Sequence, residues 1–300
     1  MTAQDLHFEE WQVLSLNEPL QVGRPPFLTA ASGLVQLDGW FYVIADDEDA
    51  IFRFRAGERL PGQSFPLTSR TLPVDVRERK KEKLDFEALT RLDHEPILLA
   101  VPSGSRPTRQ KGYLISAQDP QFLVLQQVVD FSPLYQSLKI SALNIEGAAV
   151  TGTSFVLAHR GNSVGGKNFL IQLPKNEMIT AAKRGRLNPI SSMSKLEIDL
   201  GSHQNLPFGF TDIAAYEPDQ LLYLAAAEDT DDPYEDGGFE GAQLGCVNLE
   251  GRVLWSLPLS LPEKPEGLWI EGDSVWIVTD ADDPTRPSKL YRTDRRQLPR

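Results

Sequence analysis

Five times between Ala31 and Asp283 the chain repeats one layout: an apolar strand, a short polar turn and a second apolar strand. The copies read ASGLVQLDGWFYVIADD from Ala31, FEALTRLDHEPILLAVPSGS from Phe86, IEGAAVTGTSFVLAHRGN from Ile145, TDIAAYEPDQLLYLAAAEDT from Thr211 and PEGLWIEGDSVWIVTDADD from Pro265. The turns carry Asp, Gly, Glu and Pro, and the strands carry the aromatic, branched and aliphatic residues of buried β-structure. Aligning Ser32, Glu87, Glu146, Asp212 and Glu266 gives separations of 55, 59, 66 and 54 residues. A repeat slightly longer than a typical blade repeat points to an all-β chain folded as a β-propeller.

A third strand follows each pair: IFRFR, GYLIS, NFLIQL, QLGCVNL and KLYRTD. A fourth follows in four units, as SFPLT, FLVLQQVV, KLEIDL and RVLWSLPL, while the fifth unit runs out of chain. EEWQVLSL, from Glu9, has strand composition and no unit of its own, so it is expected to close the ring as the outer strand of the last blade. The reading is one domain over residues 1–300 with five four-stranded blades. A sixth would need a degenerate blade within Asp130 to Leu143 or Asn176 to Ser194. NEMITAAKRGRL, from Asn176, reads instead as a short helical excursion.

Charge and cysteine content narrow the function classes. The formal net charge of −12 repels a nucleic-acid backbone or an anionic membrane from the average surface. The one basic run, RERKKEK from Arg77, contains two glutamates and reads as a solvated face. One cysteine, Cys246, cannot form an internal disulfide, and the start MTAQDLHFEEWQ lacks the features of a secretion signal. The expectation is a cytoplasmic protein with no nucleic-acid or membrane partner; a protein partner is not specified by the sequence.

The first strand of each blade lines a propeller's channel, so Glu87, Glu146, Asp212 and Glu266 are expected to face one another there. Such a ring needs cations, since like charges in a confined space cannot all stay ionised. Calcium with oxygen ligands is one candidate and basic side chains are the other. Fourteen residues beyond the repeat position stand Asp46, Val101, Arg160 and Asp280, which puts Arg160 within reach of Glu146 and adds Asp46 and Asp280 to a metal-ligand set with Glu87, Asp212 and Glu266. The alternative for any one carboxylate is blade docking, in which it accepts backbone amides of the neighbouring blade. At the mouth, PSGSRPTRQK offers Ser103, Ser105, Arg106, Arg109 and Lys111 to an anion, and HRGNS adds His159, Arg160 and Asn162. EDTDDPYEDGG, from Glu228, lacks EF-hand spacing and reads mainly as surface solvation.

LDFEAL, NIEGAA and KPEGLW, with the loops PSGSRPTR and HRGNS, resemble an uncharacterised bacterial β-propeller family related to the esterase-like phytase propellers. The resemblance covers about Ser32 to Asp294. It implies bound calcium, Glu87, Glu146 and Glu266 as metal or water ligands, and phosphate contacts from Arg109 and Arg160. The functional expectation is a metal-assisted hydrolase of a small phosphorylated or ester substrate, with Glu146, Arg160 and His159 as catalytic candidates. The alternatives are a non-catalytic propeller that binds a small anion or sugar, and a protein-interaction scaffold.

Overall fold

The computed structural model describes residues 6–92, 95–119, 121–161, 166–229 and 238–299. Five antiparallel four-stranded sheets form a five-bladed β-propeller. Blade 1 contains Ala31–Leu37, Trp40–Ala45, Ala50–Arg55 and Gln63–Pro66. Blade 2 contains Phe86–Arg91, Ile97–Pro102, Lys111–Asp119 and Phe122–Asp130. Blade 3 contains Ile145–Thr151, Ser154–His159, Asn168–Pro174 and Ser194–Ile198. Blade 4 contains Gly209–Glu217, Gln220–Asp229, Gly238–Asn248 and Val253–Leu259. Blade 5 contains Lys264–Glu271, Ser274–Asp280 and Lys289–Asp294, completed by Glu9–Val13 from the N-terminal region.

The segments that could have held a sixth blade carry helices. Ser132–Leu138 forms α2 and Lys175–Lys183 forms α3. The basic run forms α1, Val76–Glu82, whose N-cap Asp75 accepts the Glu78 amide at 3.0 Å. The core is divided among five apolar clusters, each shared by two neighbouring blades. α2 and α3 thicken the one between blades 2 and 3, while Leu6 and Phe8 enter the one between blades 4 and 5.

A β-bulge recurs at one point of every innermost strand. The pairing register slips across Ser32, Glu87, Glu146, Thr211 and Glu266. A bulge turns one extra side chain out of the ladder, and here it also docks blades. Ser32 Oγ donates to the Phe86 carbonyl of blade 2, and Thr211 Oγ1 donates to the Pro265 carbonyl of blade 5, both at 2.7 Å. The repeat position in blade 4 is therefore Thr211, one residue before the expected Asp212.

The E-G and S-G pairs have a packing cause. A Cβ on Gly147 would lie 2.8 Å from the Ile213 amide nitrogen, and one on Gly33 would lie 2.7 Å from that of Leu89. Each glycine thus admits the backbone of the next blade. Gly147→Ala should cost about 1–3 kcal/mol by overpacking, read as a lower urea midpoint with an unchanged m-value. An unchanged midpoint would mean that the blade interface yields without penalty.

Candidate functional site

Extended chain alternates its side chains, so positions two before a bulge share the channel-facing side with the bulge itself. Those positions are Ala30, Asp85, Asn144, Gly209 and Lys264. The one in blade 2, Asp85, lines the channel cavity although its φ of 62° is left-handed. Backbone pairing sets Asp46 beside Ala30, Ser103 beside Asp85, Arg160 beside Asn144 and Asp280 beside Lys264. Val101, expected at this level, is buried in the apolar core, and Ser103 holds its place because blade 2 has a longer hairpin. Gly209 leaves room for Arg160: a Cβ there would sit 2.7 Å from Arg160 Cγ.

These residues enclose a cavity of about 70 Å³ in the channel, enough for a few waters or one small polar group. Its lining includes seven carboxylates, on Asp46, Asp85, Glu87, Glu146, Glu228, Glu266 and Asp280. Five cationic residues, Lys80, Lys83, Arg109, Arg160 and Lys264, line it as well. A wider groove of about 700 Å³ shares Asp46, Lys80, Lys83 and Asp280 with this chamber. Val76 of α1, Phe239 and Pro284 add apolar surface to the groove.

The cations are pinned between blades. Arg160 reaches Glu228 of blade 4 at 2.8 Å and Glu146 of blade 3 at 3.7 Å. Lys264 contacts Glu266 at 2.9 Å, Glu228 at 3.0 Å and Asp282 at 3.4 Å. Lys83 contacts Asp46 of blade 1 and, at 2.8 Å, Asp85 at the entry to blade 2. Arg109 donates to Asp85 at 2.9 Å, to Ser105 at 3.0 Å and to the Lys80 carbonyl at 2.7 Å.

The environments separate the carboxylates. Burial pushes Glu146 up to about 7 despite Arg160 and Lys264, and Asp46 to about 6 despite Lys83. Burial likewise raises Glu87, Glu266 and Asp280 well above the usual carboxylate range. Glu228 is also buried, but Arg160 and Lys264 together outweigh that and hold it down at about 2.

Several expected site residues take other positions. His159 alternates away from Arg160, is buried, contacts Asn144 through Nδ1 and stacks on Phe169 with ring centroids 5.8 Å apart. Burial lowers its pKa to about 4, which leaves it neutral. Asp212 does not line the chamber; its carboxylate accepts the Ile213 and Leu268 amides at 2.7 Å, which docks blade 4 to blade 5. Ser103, Ser105 and Arg109 converge on Asp85 rather than forming an open anion cradle, although Ser105 and Arg109 do line the chamber. Lys111 pairs with Asp130 at 3.1 Å at the blade's outer side, and Arg106 is exposed and does not line the chamber. Asn162 lies outside the described residues. Asp46, Glu87, Glu146, Arg160, Glu266 and Asp280 all line the chamber.

Sequence reading missed Lys83, Asp85, Glu228 and Lys264. The signal was present as alternation: Lys83, Asp85 and Glu87 stand at every second position, as do Lys264 and Glu266. Glu228 was concealed by the acidic loop that follows it.

The ring and its chamber define a β-propeller with a buried ionic site in the channel. More particularly, the chain belongs to a family of unknown function, DUF6929, whose profile matches residues 27–294. No curated protein matches the chain in sequence. One similar solved structure concerns the GH130 family of mannoside phosphorylases, which contains glycoside hydrolases that target β-1,2-mannosidic linkages in Candida mannan. It is 9% identical, with a TM-score of 0.57 over 99% of this chain and 96% of that one. A putative glycoside hydrolase from Parabacteroides distasonis is 10% identical, with a TM-score of 0.54 over 96% and 97%. A putative glycosidase from Bacteroides thetaiotaomicron is 8% identical, with a TM-score of 0.51 over 89% and 86%. At these identities the likeness is one of fold. Among the described residues no helix is long and apolar enough to cross a membrane.

Proposed function

We propose that the chain is a hydrolase of a small neutral hydroxylated substrate, a glycoside, with Glu146 as general acid and Glu228 as general base. The observation that carries this reading is Arg160, which reaches two buried carboxylates of opposite protonation tendency, Glu146 near 7 and Glu228 near 2. Two acids pushed apart by their surroundings make an acid–base pair at neutral pH. In the reaction Glu146 gives its proton to the leaving oxygen as the C–O bond breaks. Glu228 takes a proton from the water that adds to the carbon.

The pairing of the cations favours a neutral ligand. Arg160, Lys264, Lys83 and Arg109 each already hold a buried carboxylate, so these four cations are not open to a phosphate. The groove next to the chamber has room for a sugar, and Phe239 offers it an apolar face. The solved structures similar in fold concern glycoside hydrolases and a glycosidase, which is compatible with this substrate class. The E-G motif that resembles phytase propellers has a sufficient cause here in blade docking, so phosphomonoester hydrolysis is not part of the proposal.

The test is reducing-end release from a panel of unactivated disaccharides, β-1,2-mannosides among them. Turnover should fall as pH rises through about 7, where Glu146 loses its proton. Glu146→Gln should lower the rate by about 10²-fold or more and remove that limb. Release of phosphate from phosphomonoesters without any glycoside turnover would overturn the reading, as would a basic limb that persists in Glu146→Gln.

A further inference from the structure

We propose that Lys83 is the resident cation of a three-carboxylate site, so that its ammonium stands where Asp46, Asp85 and Glu87 would otherwise hold a metal ion. This goes beyond the hydrolase reading and does not depend on it. Asp46, Asp85 and Glu87 each turn a carboxylate oxygen toward one point, with those atoms within 4.8 Å of one another. That arrangement would suit a hard cation if its oxygens were free. They are not. Lys83 Nζ already contacts Asp46 and Asp85, and Asp85 also accepts from Ser103, Ser105 and Arg109. Calcium takes about six to eight oxygen ligands, and here a charged ammonium and a guanidinium hold the strongest of them.

The ammonium is held there by design of the local fold. Lys83 caps the C-terminus of α1, donating its backbone N–H to the Arg79 carbonyl. Arg79 ties that helix to Asp47 of blade 1 at 3.2 Å and to the Pro73 and Val74 carbonyls. On the other side, Arg109 holds the Lys80 carbonyl. The helix is thus fixed from blade 1 and from blade 2, and its C-cap residue Lys83 reaches Asp46 of one and Asp85 at the entry to the other. The carboxylates overcome the cost of burying the ammonium and keep Lys83 charged.

An independent second instance supports the assignment. Lys264 holds Glu228, Glu266 and Asp282 in the same manner. Both lysines precede the bulge glutamate of their own blade, Lys83 before Glu87 and Lys264 before Glu266. Within the strand Lys264–Glu271 alternation turns amine and carboxylate to one side, whereas Lys83 arrives from the C-cap of α1 across Asp85, whose φ of 62° is left-handed. The ring neutralises its acids with side chains that arrive with the strands and with α1.

The experiment is thermal unfolding of the full chain in millimolar calcium and in chelator. Wild type and Glu87→Gln should respond to calcium alike, because any effect comes from the acidic surface. Lys83→Met keeps the aliphatic stem, vacates the cation position and should gain a calcium-dependent rise of roughly 4 °C at ~100 times the dissociation constant. The double variant Lys83→Met/Glu87→Gln should lose that gain. A calcium response in wild type that disappears in Glu87→Gln would overturn the proposal even if Lys83→Met fails to fold. A folded Lys83→Met that gains no calcium response would overturn it as well.

Discussion

Deletion of residues 1–16 should turn the propeller into an aggregating species with no cooperative melt. Glu9–Val13 pairs antiparallel with Lys289–Asp294, running from Glu9 opposite Arg292 to Val13 opposite Lys289. The Leu14 amide continues the contact to the Ser288 carbonyl at 2.9 Å, and Thr293 donates to the His7 carbonyl at 2.7 Å. Leu6 and Phe8 are buried between blades 4 and 5, and Leu14 and Leu16 between blades 5 and 1. At about 1.5–3 kcal/mol for each buried apolar side chain, these four contribute roughly 6–12 kcal/mol, against a typical total of about 5–15 kcal/mol. Trp11 adds an edge contact with Trp276 at 5.5 Å. The deletion also bares the edge of Lys289–Asp294, and an unpaired edge invites pairing with another chain. Circular dichroism melts and size-exclusion chromatography check this. A truncated monomer with an unchanged melting temperature would show that blade 5 closes by other means.

The architecture was legible because it rests on local and periodic signals. Strand composition, turn residues and the repeat spacing are all written within each unit, and ring closure follows from one strand lacking a partner at each terminus. The channel was legible only in part. Glu87, Glu146, Glu266, Asp46, Arg160 and Asp280 follow from the repeat and line the chamber. Thr211 was misaligned by one residue because the neighbouring Asp212 looked more like its acidic counterparts, although its carboxylate is spent on backbone amides. The loop from Pro102 looked like an anion cradle because a sequence lists donors without their acceptors. Ser103, Ser105 and Arg109 are turned inward by Asp85, which lies 18 to 24 residues earlier. Lys83 read as part of a solvated run because its burial depends on a helix docked between two blades. Glu228 gains its role from Arg160 and Lys264, contributed by blades 3 and 5, and no local pattern encodes that meeting.

Arg160→Met should destabilise the fold by about 3–5 kcal/mol, the usual cost of leaving a buried charge without its partner. The methionine keeps much of the apolar stem that packs against Gly209, so the loss falls mainly on Glu228 and Glu146. Glu228 would keep Lys264 but lose its contact at 2.8 Å, and Glu146 would lose the nearer of its two cations. The sign of the pH dependence separates this from lost packing. In wild type Glu228 is depressed to about 2, so its contribution is present above its ordinary range near 4.5 and disappears as pH falls toward 2. Glu146 is raised to about 7, so the folded state holds the extra proton and stability falls as pH rises from about 4.5 to 7. Without Arg160 both carboxylates shift upward, and the falling window widens to higher pH. Urea unfolding at pH 5 and pH 8 should therefore find the variant's deficit larger at pH 8. Adding Glu228→Gln removes the stranded charge and should recover part of the loss, a coupling of about 0.5–3 kcal/mol in a double-mutant cycle. Equal deficits at the two pH values together with strict additivity would mean that Arg160 serves packing alone. A pH-dependent deficit with strong coupling would instead identify it as the charge that keeps Glu228 ionised beside a protonatable Glu146.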